Sequence, residues 1–323
     1  MAFVRNVAFP AVGNLLRLSG LTRRGIETRE VRVYADGIAN RVIDIIADMH
    51  IWGVHKNINP TLQRSQSEAD RIIWDTQCVT LNLGDIMTLG SWEHKPTGFE
   101  HVQDLEMYFS DNAKRSEGGK IWSIDGNHDR RMLEKISPKN LEGLRRLIGD
   151  LGFDYIDKPI EIWGDKIKLH SMPCHNTQKE LYTPEAVREL LSNINSHSGV
   201  NIVMVHNPDG VRQIEAMKAQ LWLRINVPTL FLCGHTHGLL GFQDIPIVGE
   251  KLSRWARKWI GMESDSQYIS GYYPATTGEP YGIFVSRGMG DQADIFRVLW
   301  GGRERPILRF VERKEDADII LGN

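Results

Sequence analysis

The stretch FLCGHTHG, residues 231–238, joins an apolar run to two histidines separated by a single threonine. The apolar run has the length and composition of a buried strand, and it ends at Gly234. His235 and His237 are two residues apart, so in extended chain their side chains point to the same side. Gly234 and Gly238 permit a tight backbone and close approach. The stretch therefore predicts a loop whose two imidazoles reach one metal ion or two adjacent ions.

The same arrangement, an apolar run followed at once by residues of metal-ligand type, occurs four more times. The runs are VIDIIA, CVTLNLG, IWSIDG and IVMV. The residues that follow them are Asp48 and His50, then Asp85, then Asn127, His128 and Asp129, and finally His206. A single histidine after a strand is usually an ordinary loop residue, but five such strand ends in one chain indicate a shared site.

Helical patterns lie between or beside these runs, at residues 61–75, 99–115, 139–150, 184–195 and 208–223. Strands that alternate with helices predict an α/β fold with a mostly parallel sheet. The segment IEIWGDKIKLHS predicts a hairpin with Gly164 and Asp165 at its turn. Because ligands of such folds bind outside the carboxyl ends of the strands, the polar residues above are expected at one edge.

Composition excludes some classes of protein. The 323 residues carry a formal net charge of −2, which argues against nucleic-acid binding by bulk positive charge but leaves a local basic patch open. The three cysteines, Cys78, Cys174 and Cys233, lack the spacing of a zinc site or a disulfide framework. Cys78 and Cys233 lie in or beside apolar runs and are interpreted as buried thiols in a reducing compartment, which predicts a cytoplasmic location. No apolar run reaches the roughly 18 residues of a membrane span.

The motifs together resemble those of the calcineurin-like metallophosphoesterases. In order they are DMH at 48–50, GD at 84–85, GNHD at 126–129, His206 and GHTH at 234–237. The resemblance spans roughly residues 40 to 240. It implies an α/β fold of the metallophosphoesterase type: a β-sandwich with strand–helix alternation, helices on the outer faces and the active site at the strand carboxyl ends.

Further motifs indicate which branch of the family this chain resembles. YGIFVSRGMG at 281–290 resembles the closing strand and turn of a bacterial phosphodiesterase branch. The protein Ser/Thr phosphatases carry Asp-Arg-Gly soon after the Gly-Asp and Glu after the Asn-His, whereas this chain has GDIMTLG and GNHD. The bacterial branch continues its last motif with Gly-Gly-Gln, and this chain departs from it with GHTHGLLG.

The resemblance implies a site for two divalent metal ions. One ion would be held by Asp48, His50 and His237, the other by Asn127, His206 and His235, and Asp85 would bridge them. Imidazole, carboxylate and amide ligands together suit manganese, iron or zinc. Two divalent ions and two carboxylates leave a charge of +2, which would attract a phosphate and lower the pKa of a bridging water.

The resemblance also implies roles around the metals. His128 would be the catalytic histidine, giving a proton to the leaving oxygen or stabilising the phosphoryl group, with Asp129 orienting it and keeping it protonated. The alternative for His128 is that it only positions Asn127. Weaker candidates for substrate binding are Arg130, at an apparent helix start, and His55 and His175, with surface or loop positions as the alternative.

The domain organisation is interpreted as a basic N-terminal arm at 1–30, a metallophosphoesterase domain at 31–315 and a C-terminal tail at 316–323. An insertion at 239–274 contains a basic amphipathic pattern at residues 249–261 with Trp255 and Trp259 on one face. This composition is typical of an interfacial helix and suggests peripheral contact with a membrane or lipid. The alternatives are an ordinary helix packed on the core and nucleic-acid binding.

The sequence thus predicts an enzyme that hydrolyses a phosphodiester or phosphomonoester in line, through a metal-bound hydroxide. The main alternative is a nuclease of the same superfamily. The less favoured alternative is a non-catalytic scaffold with the same fold. The complete ligand set argues against the scaffold, and the near-neutral charge argues mildly against the nuclease.

Overall fold

The computed structural model describes residues 26–48, 79–86, 121–130, 149, 153–174, 182–236, 268, 270–288 and 303–322. These residues form thirteen strands arranged in two sheets, with two helices of more than three turns. The helices predicted at 61–75 and 99–115, and all but one residue of that at 139–150, lie outside the described residues. Among the described helices, none is long and apolar enough to cross a membrane.

The first sheet has seven strands in the order β13-β1-β12-β2-β3-β4-β5. Its strands are β1 Ile26–Tyr34, β2 Val42–Ile46, β3 Val79–Asn82, β4 Ile121–Ser123, β5 Phe153–Tyr155, β12 Arg303–Val311 and β13 Ile319–Ile320. The pair β12–β2 is antiparallel, and every other pair of this sheet is parallel. The predicted mostly parallel arrangement is therefore confirmed in this sheet.

The second sheet has six strands in the order β10-β11-β9-β8-β7-β6. Its strands are β6 Ile160–Ile162, β7 Ile167–Ser171, β8 Val200–Met204, β9 Thr229–Cys233, β10 Gly271–Pro274 and β11 Tyr281–Val285. The central strands are parallel, and the two outer pairs are antiparallel. The predicted hairpin is β6–β7, and its turn places Trp163 at φ 55° and Gly164 at φ 74°.

Alternating side chains of the second sheet fill two separate cores, as strand periodicity requires. On β8, Ile202 and Met204 pack between the two sheets, while Val203 packs beneath the helices on the outer face. On β9, Leu230 and Phe231 divide in the same way. The predicted β-sandwich with helices on an outer face is confirmed here.

Helices α1 (Pro184–Asn195) and α2 (Pro208–Gln220) cover that outer face. Each begins with a proline after a polar N-cap, which satisfies a free backbone N–H with its side chain. The bounds of α1 match the prediction, but α2 ends three residues before the predicted Leu223. There Trp222 has φ 56°, and its N–H and that of Leu223 donate to carbonyls of the last turn, which closes the helix.

Two strands of the first sheet lie near the expected ends of the domain. Strand β1 begins at Ile26, within the range 1–30 that was expected as an arm, and β13 lies within the expected tail at 316–323. Asp318 accepts hydrogen bonds from the backbone N–H and the guanidinium of Arg32, which fixes the last strand beside β1. Strand β10 lies at the end of the predicted insertion at 239–274.

Candidate metal centre

Loops from both sheets meet at the carboxyl ends of their parallel strands. The Asp48 N–H, after β2, donates to the carbonyl of Gly84 after β3 at 3.0 Å. The His235 N–H, after β9, lies 3.0 Å from each carboxylate oxygen of Asp48 and joins the second sheet to the first. The Gly234 N–H donates to the carbonyl of His206 after β8 at 2.9 Å. The predicted convergence at one edge is therefore found for these loops.

Four predicted metal ligands form one buried cluster. The Nε2 atom of His206 lies 3.1 Å from Asn127 Oδ1 and 3.3 Å from Asp85 Oδ2. The rings of His206 and His235 lie 5.1 Å apart between centroids, at 71° to each other. Asp85 and His206 are fully buried, and Asn127 and His235 are nearly so. The cluster combines carboxylate, amide and imidazole groups that are shielded from water.

The orientation of the His206 ring is fixed from behind. Its Nδ1 lies 2.7 Å from the carbonyl of Leu83, to which Nδ1–H donates, so Nε2 faces Asp85 and Asn127. Burial of the ring lowers the pKa of His206, but the Asp85 carboxylate, together with Asp48 and the Leu83 carbonyl, outweighs burial and raises that pKa to about 9. Positive charge is therefore favoured at the point where these ligand atoms converge. A second partner that fixes the ring is the usual support of a metal-binding histidine.

The donor set and its spacing fit a divalent metal ion. Ligand atoms of Asp85, His206 and His235 all lie within 4.8 Å of one another. Mixed nitrogen and oxygen donors suit zinc, iron or manganese better than calcium. Of the ligands implied for the other ion, Asp48 is fully buried beside His235, whereas His50 and His237 lie outside the described residues. The second ion and the bridging role of Asp85 stay predictions.

The backbone is strained at three of these ligands. Asp48 has φ 51°, Asp85 has φ 55° and His235 has φ 68°, in the left-handed region that residues other than glycine rarely adopt. Six such residues occur in the described part of the chain, so half of them belong to this centre. Strain of this kind costs about 1 to 3 kcal/mol per residue and typically collects at functional sites. The spacing of the motifs did not predict this backbone strain.

Glycines allow the loops to approach one another. A Cβ at Gly126 would lie 2.1 Å from Asp85 Oδ1, so no side chain fits there without moving the carboxylate. A Cβ at Gly288 would lie 2.7 Å from both Cβ and Oδ2 of Asp48. Gly288 also has φ 77°, and its carbonyl accepts from the Glu304 N–H at 3.0 Å. The sequence analysis noted Gly288 only as part of the segment 281–290, which resembles the bacterial phosphodiesterase branch, and did not identify it as part of the site.

Asp129 holds two site loops together through backbone hydrogen bonds. Its Oδ2 accepts from the N–H groups of Asp85 at 2.7 Å, Gly126 at 2.9 Å and Ile86 at 3.3 Å. The bond to Gly126 follows a known pattern, in which a side chain in the first helical turn binds the N-cap N–H. GNHD has Gly and Asp where that pattern usually has Ser or Thr and Glu or Gln, and the sequence analysis did not predict this bond. The predicted orientation of His128 by Asp129 stays a prediction.

The helical residues 127–130 carry the remaining candidates. The His128 N–H donates to Asp85 Oδ1 at 2.8 Å, so this helix start binds a carboxylate of the centre. The His128 residue is half-buried, and its predicted catalytic role stays a prediction. The Arg130 guanidinium donates to the carbonyl of Cys174. His55 and His175, and Trp255 and Trp259 of the predicted interfacial helix, lie outside the described residues.

Comparisons with known proteins bear on the family. No curated protein matches the chain in sequence. Among solved structures, a protein serine/threonine phosphatase from Saccharomyces cerevisiae with similarity to human phosphatase PP5 is 11% identical over 86% of this chain and 75% of that chain. The TM-score between the two structures is 0.25. The bacterial branch stays a prediction.

The sequence pattern of one family spans most of the centre. The family described as Calcineurin-like phosphoesterase matches residues 41–239, from the start of β2 to just beyond the two histidines that follow β9. The match contains every predicted metal ligand, and it covers more than half of the chain. The chain belongs to the calcineurin-like phosphoesterase family.

Proposed function

We propose that this protein hydrolyses a phosphodiester or phosphomonoester at a centre of two divalent metal ions. The observation that carries the proposal is the buried cluster in which Asp85, Asn127, His206 and His235 converge. Membership of the phosphoesterase family supports the reaction class. The number of ions and the preference for diester or monoester belong to the proposal.

The ligands divide between the two ions as the motifs suggest. Asn127, His206 and His235, whose side chains converge, would hold one ion, and Asp85 would bridge the two. Asp48 would hold the second ion together with His50 and His237. Asp48 meets the His235 N–H with both oxygens, which ties the two halves of the centre to each other. When bound, the ions would polarise the phosphoryl oxygens and lower the pKa of a water molecule.

The protein supplies fixed geometry and a proton. The His206 ring is fixed by the Leu83 carbonyl, and Asp85 is fixed by the N–H of His128, so neither ligand has to reorganise during the reaction. The His128 imidazole, next to the ligand Asn127 and half-buried, donates a proton to the leaving oxygen. Such a positioned general acid contributes about 10² to 10⁴ in rate.

A metal-resolved activity panel tests this function. The full chain, loaded with Mn, Fe or Zn, is assayed on an aryl phosphomonoester, an aryl phosphodiester, a cyclic nucleotide, a lipid-linked diester and single-stranded DNA. We expect hydrolysis of at least one ester, its loss on chelation and its return with metal. His206→Ala should lose metal and activity together, whereas Asp165→Asn, on the exposed β6–β7 turn, should keep both. Protein that binds metal but cleaves none of the five substrates would overturn the proposal.

A further inference from the structure

A cleft of about 340 Å³ opens where the two sheets meet, beside the helical residues 127–130. One wall comes from the ends of β4 and β5, and the other from the residues that follow β7. The lining residues that matter chemically are Asp125, Arg130, Tyr155, Ile156, Asp157 and Cys174. None of them is a predicted metal ligand, and only Arg130 was considered for substrate binding from the sequence.

The cleft adjoins the metal centre. Arg130 lines the cleft and is three residues beyond Asn127, and residues three apart lie on the same face of a helix. The pKa of the Cys174 thiol is raised by burial first and then by the negative charge of Asp85, so the far wall lies within electrostatic reach of that ligand. An ester whose phosphoryl group lay at the metal centre would therefore place one of its alcohol groups in the cleft.

The charges of the cleft select what enters it. Asp125 and Asp157 contribute two carboxylates and Arg130 one guanidinium, which gives a local charge of −1. This balance disfavours a second acidic group on the substrate. Carboxylates accept hydrogen bonds and a guanidinium donates them, a combination that suits hydroxyl groups, which do both. The guanidinium is fixed across the cleft because it donates to the Cys174 carbonyl.

The size and the apolar part of the lining limit the occupant further. Ligand pockets generally measure about 300 to 1,000 Å³, so this cleft accepts a small group of one or two rings. Tyr155 and the buried Ile156 give it an aromatic and an aliphatic wall. Sugar-like rings combine an apolar face with hydroxyl edges and fit such a lining better than a simple alkyl chain does.

We propose that this cleft binds the leaving alcohol of the substrate, and that this alcohol is a hydroxyl-bearing ring, a sugar or a nucleoside, without a second acidic group. The proposal rests on the proposed phosphoesterase function of the adjoining centre. Asp125 and Asp157 accept the hydroxyl hydrogens, and Arg130 donates to a hydroxyl oxygen. The resulting specificity concerns the alcohol, whereas the metal centre recognises the phosphoryl group.

The kinetic test uses methyl phosphodiesters that differ only in their second alcohol: uridine, glucose, propanol and lactic acid. We expect the metal-loaded enzyme to show a kcat/KM for the uridine or glucose ester about tenfold or more above that for the propyl ester. The lactate ester should be the slowest because of its extra carboxylate. A preference for uridine over glucose, or the reverse, identifies which ring the cleft accepts.

Two variants distinguish an effect of the cleft on specificity from a general effect of losing a carboxylate. Asp157 is exposed, so Asp157→Asn should fold normally and reduce the ratio of ring ester to propyl ester about tenfold, since hydrogen bonds to a charged group are the strong ones. Asp165→Asn makes the same chemical change on the exposed β6–β7 turn and should leave the ratio unchanged. An equal rate for the propyl ester, or a ratio that Asp157→Asn does not alter, would overturn the proposal.

A binding measurement distinguishes failure of the cleft from failure of the proposed function. Saturation-transfer NMR on the metal-free full chain would detect methyl glucoside or uridine directly, without catalysis. We expect a signal from at least one of them that Asp157→Asn weakens and Asp165→Asn keeps. Hydrolysis of none of the four esters alongside such a signal would count against phosphodiester hydrolysis alone, and the aryl phosphomonoester of the activity panel would then test the remaining part of the proposed function. Absence of both signals would remove the cleft as a binding site even if esters were hydrolysed.

Discussion

Replacing Asp129 tests whether this carboxylate organises the metal centre without touching a metal. In the fully buried side chain, Oδ2 accepts from two backbone N–H groups at 2.7 and 2.9 Å and from a third at 3.3 Å. Asp129→Ala deprives all three buried donors of this acceptor. A buried donor that loses its partner costs about 1 to 3 kcal/mol, and the third bond is long. We therefore expect a loss of roughly 3 to 6 kcal/mol in the free energy of unfolding.

Asp129→Asn is the milder form of the same change. Its amide oxygen can occupy the place of Oδ2 and keep the acceptor, but the negative charge is lost. Hydrogen bonds to a charged group exceed neutral ones by about 1 kcal/mol each, so the two short bonds predict a loss of about 2 kcal/mol. Because Asp85 is positioned by one of these bonds, metal affinity should also fall, by about 10- to 100-fold.

The assay is urea-induced unfolding of the metal-free protein, combined with metal titration of each variant. Asp165→Asn serves as the control, since substitutions on exposed turns change stability by about 0.5 kcal/mol or less. If Asp129→Ala unfolds with the free energy of the control, the reasoning about the three N–H groups is wrong. If stability and metal affinity both persist and only the pH profile of turnover shifts, Asp129 acts on His128 instead.

Three further predictions concern the centre and its surroundings. Asp85→Asn should reduce the metal content below two ions per chain, because the Asp85 carboxylate is proposed to bridge both ions. Elemental analysis of the unaltered protein that finds at most one ion per chain at saturation would contradict the two-ion proposal. His128→Ala should retain its metals and lose about 10² to 10⁴ in rate on alkyl esters but less on nitrophenyl esters, which leave without a proton; loss of metal would make His128 structural. The pKa of His170 is lowered to about 4, mainly by burial and further by the charges of Lys168 and His197. The hydrogen bond that Nε2 donates to Asn201 Oδ1 raises this pKa but does not outweigh burial. The unfolded chain therefore binds this proton below about pH 6.5 and the folded chain only near pH 4, so stability should fall by about 3 kcal/mol as pH drops through that window. His170→Gln should remove this part of the acid dependence, and an unchanged urea midpoint of the unaltered protein between pH 6.5 and 4.5 would contradict it.

Local patterns predicted the parts of the site that depend on local chain geometry. The run before Gly234 forms β9, and the polar residues after β2, β3, β4 and β8 lie at the same edge of the sandwich. The bounds of α1 followed from Thr183, the proline after it and the apolar spacing. In each case a few neighbouring residues suffice, because period and capping are properties of short segments.

Features that join distant segments were not predictable in this way. Nothing near Asp129 shows that its carboxylate reaches the N–H of Asp85, 44 residues away. Gly288 approaches Asp48 although the two are far apart in the chain, and a single sequence does not encode that contact as a pattern. The left-handed backbone of Asp48 and Asp85 likewise results from close packing of the loops, against local preference.

The position of β12 between β1 and β2 bears on the order in which the molecule is made. Ile26 pairs with Arg303, and β12 also pairs with β2, so the strand that lies between β1 and β2 is synthesised only after β3 to β11. Pairings so distant in sequence form slowly, and until then both strands expose edges to other chains. Asp48 follows β2 and packs against Gly288, which precedes β12. We expect pulse-labelled hydrogen exchange during refolding to show the β7–β8–β9 sheet protected before β2, and metal capture to accompany the later event. A ribosome-bound chain that lacks β12 would hold β2, and the Asp48 that follows it, without the antiparallel neighbour on that side of the sheet.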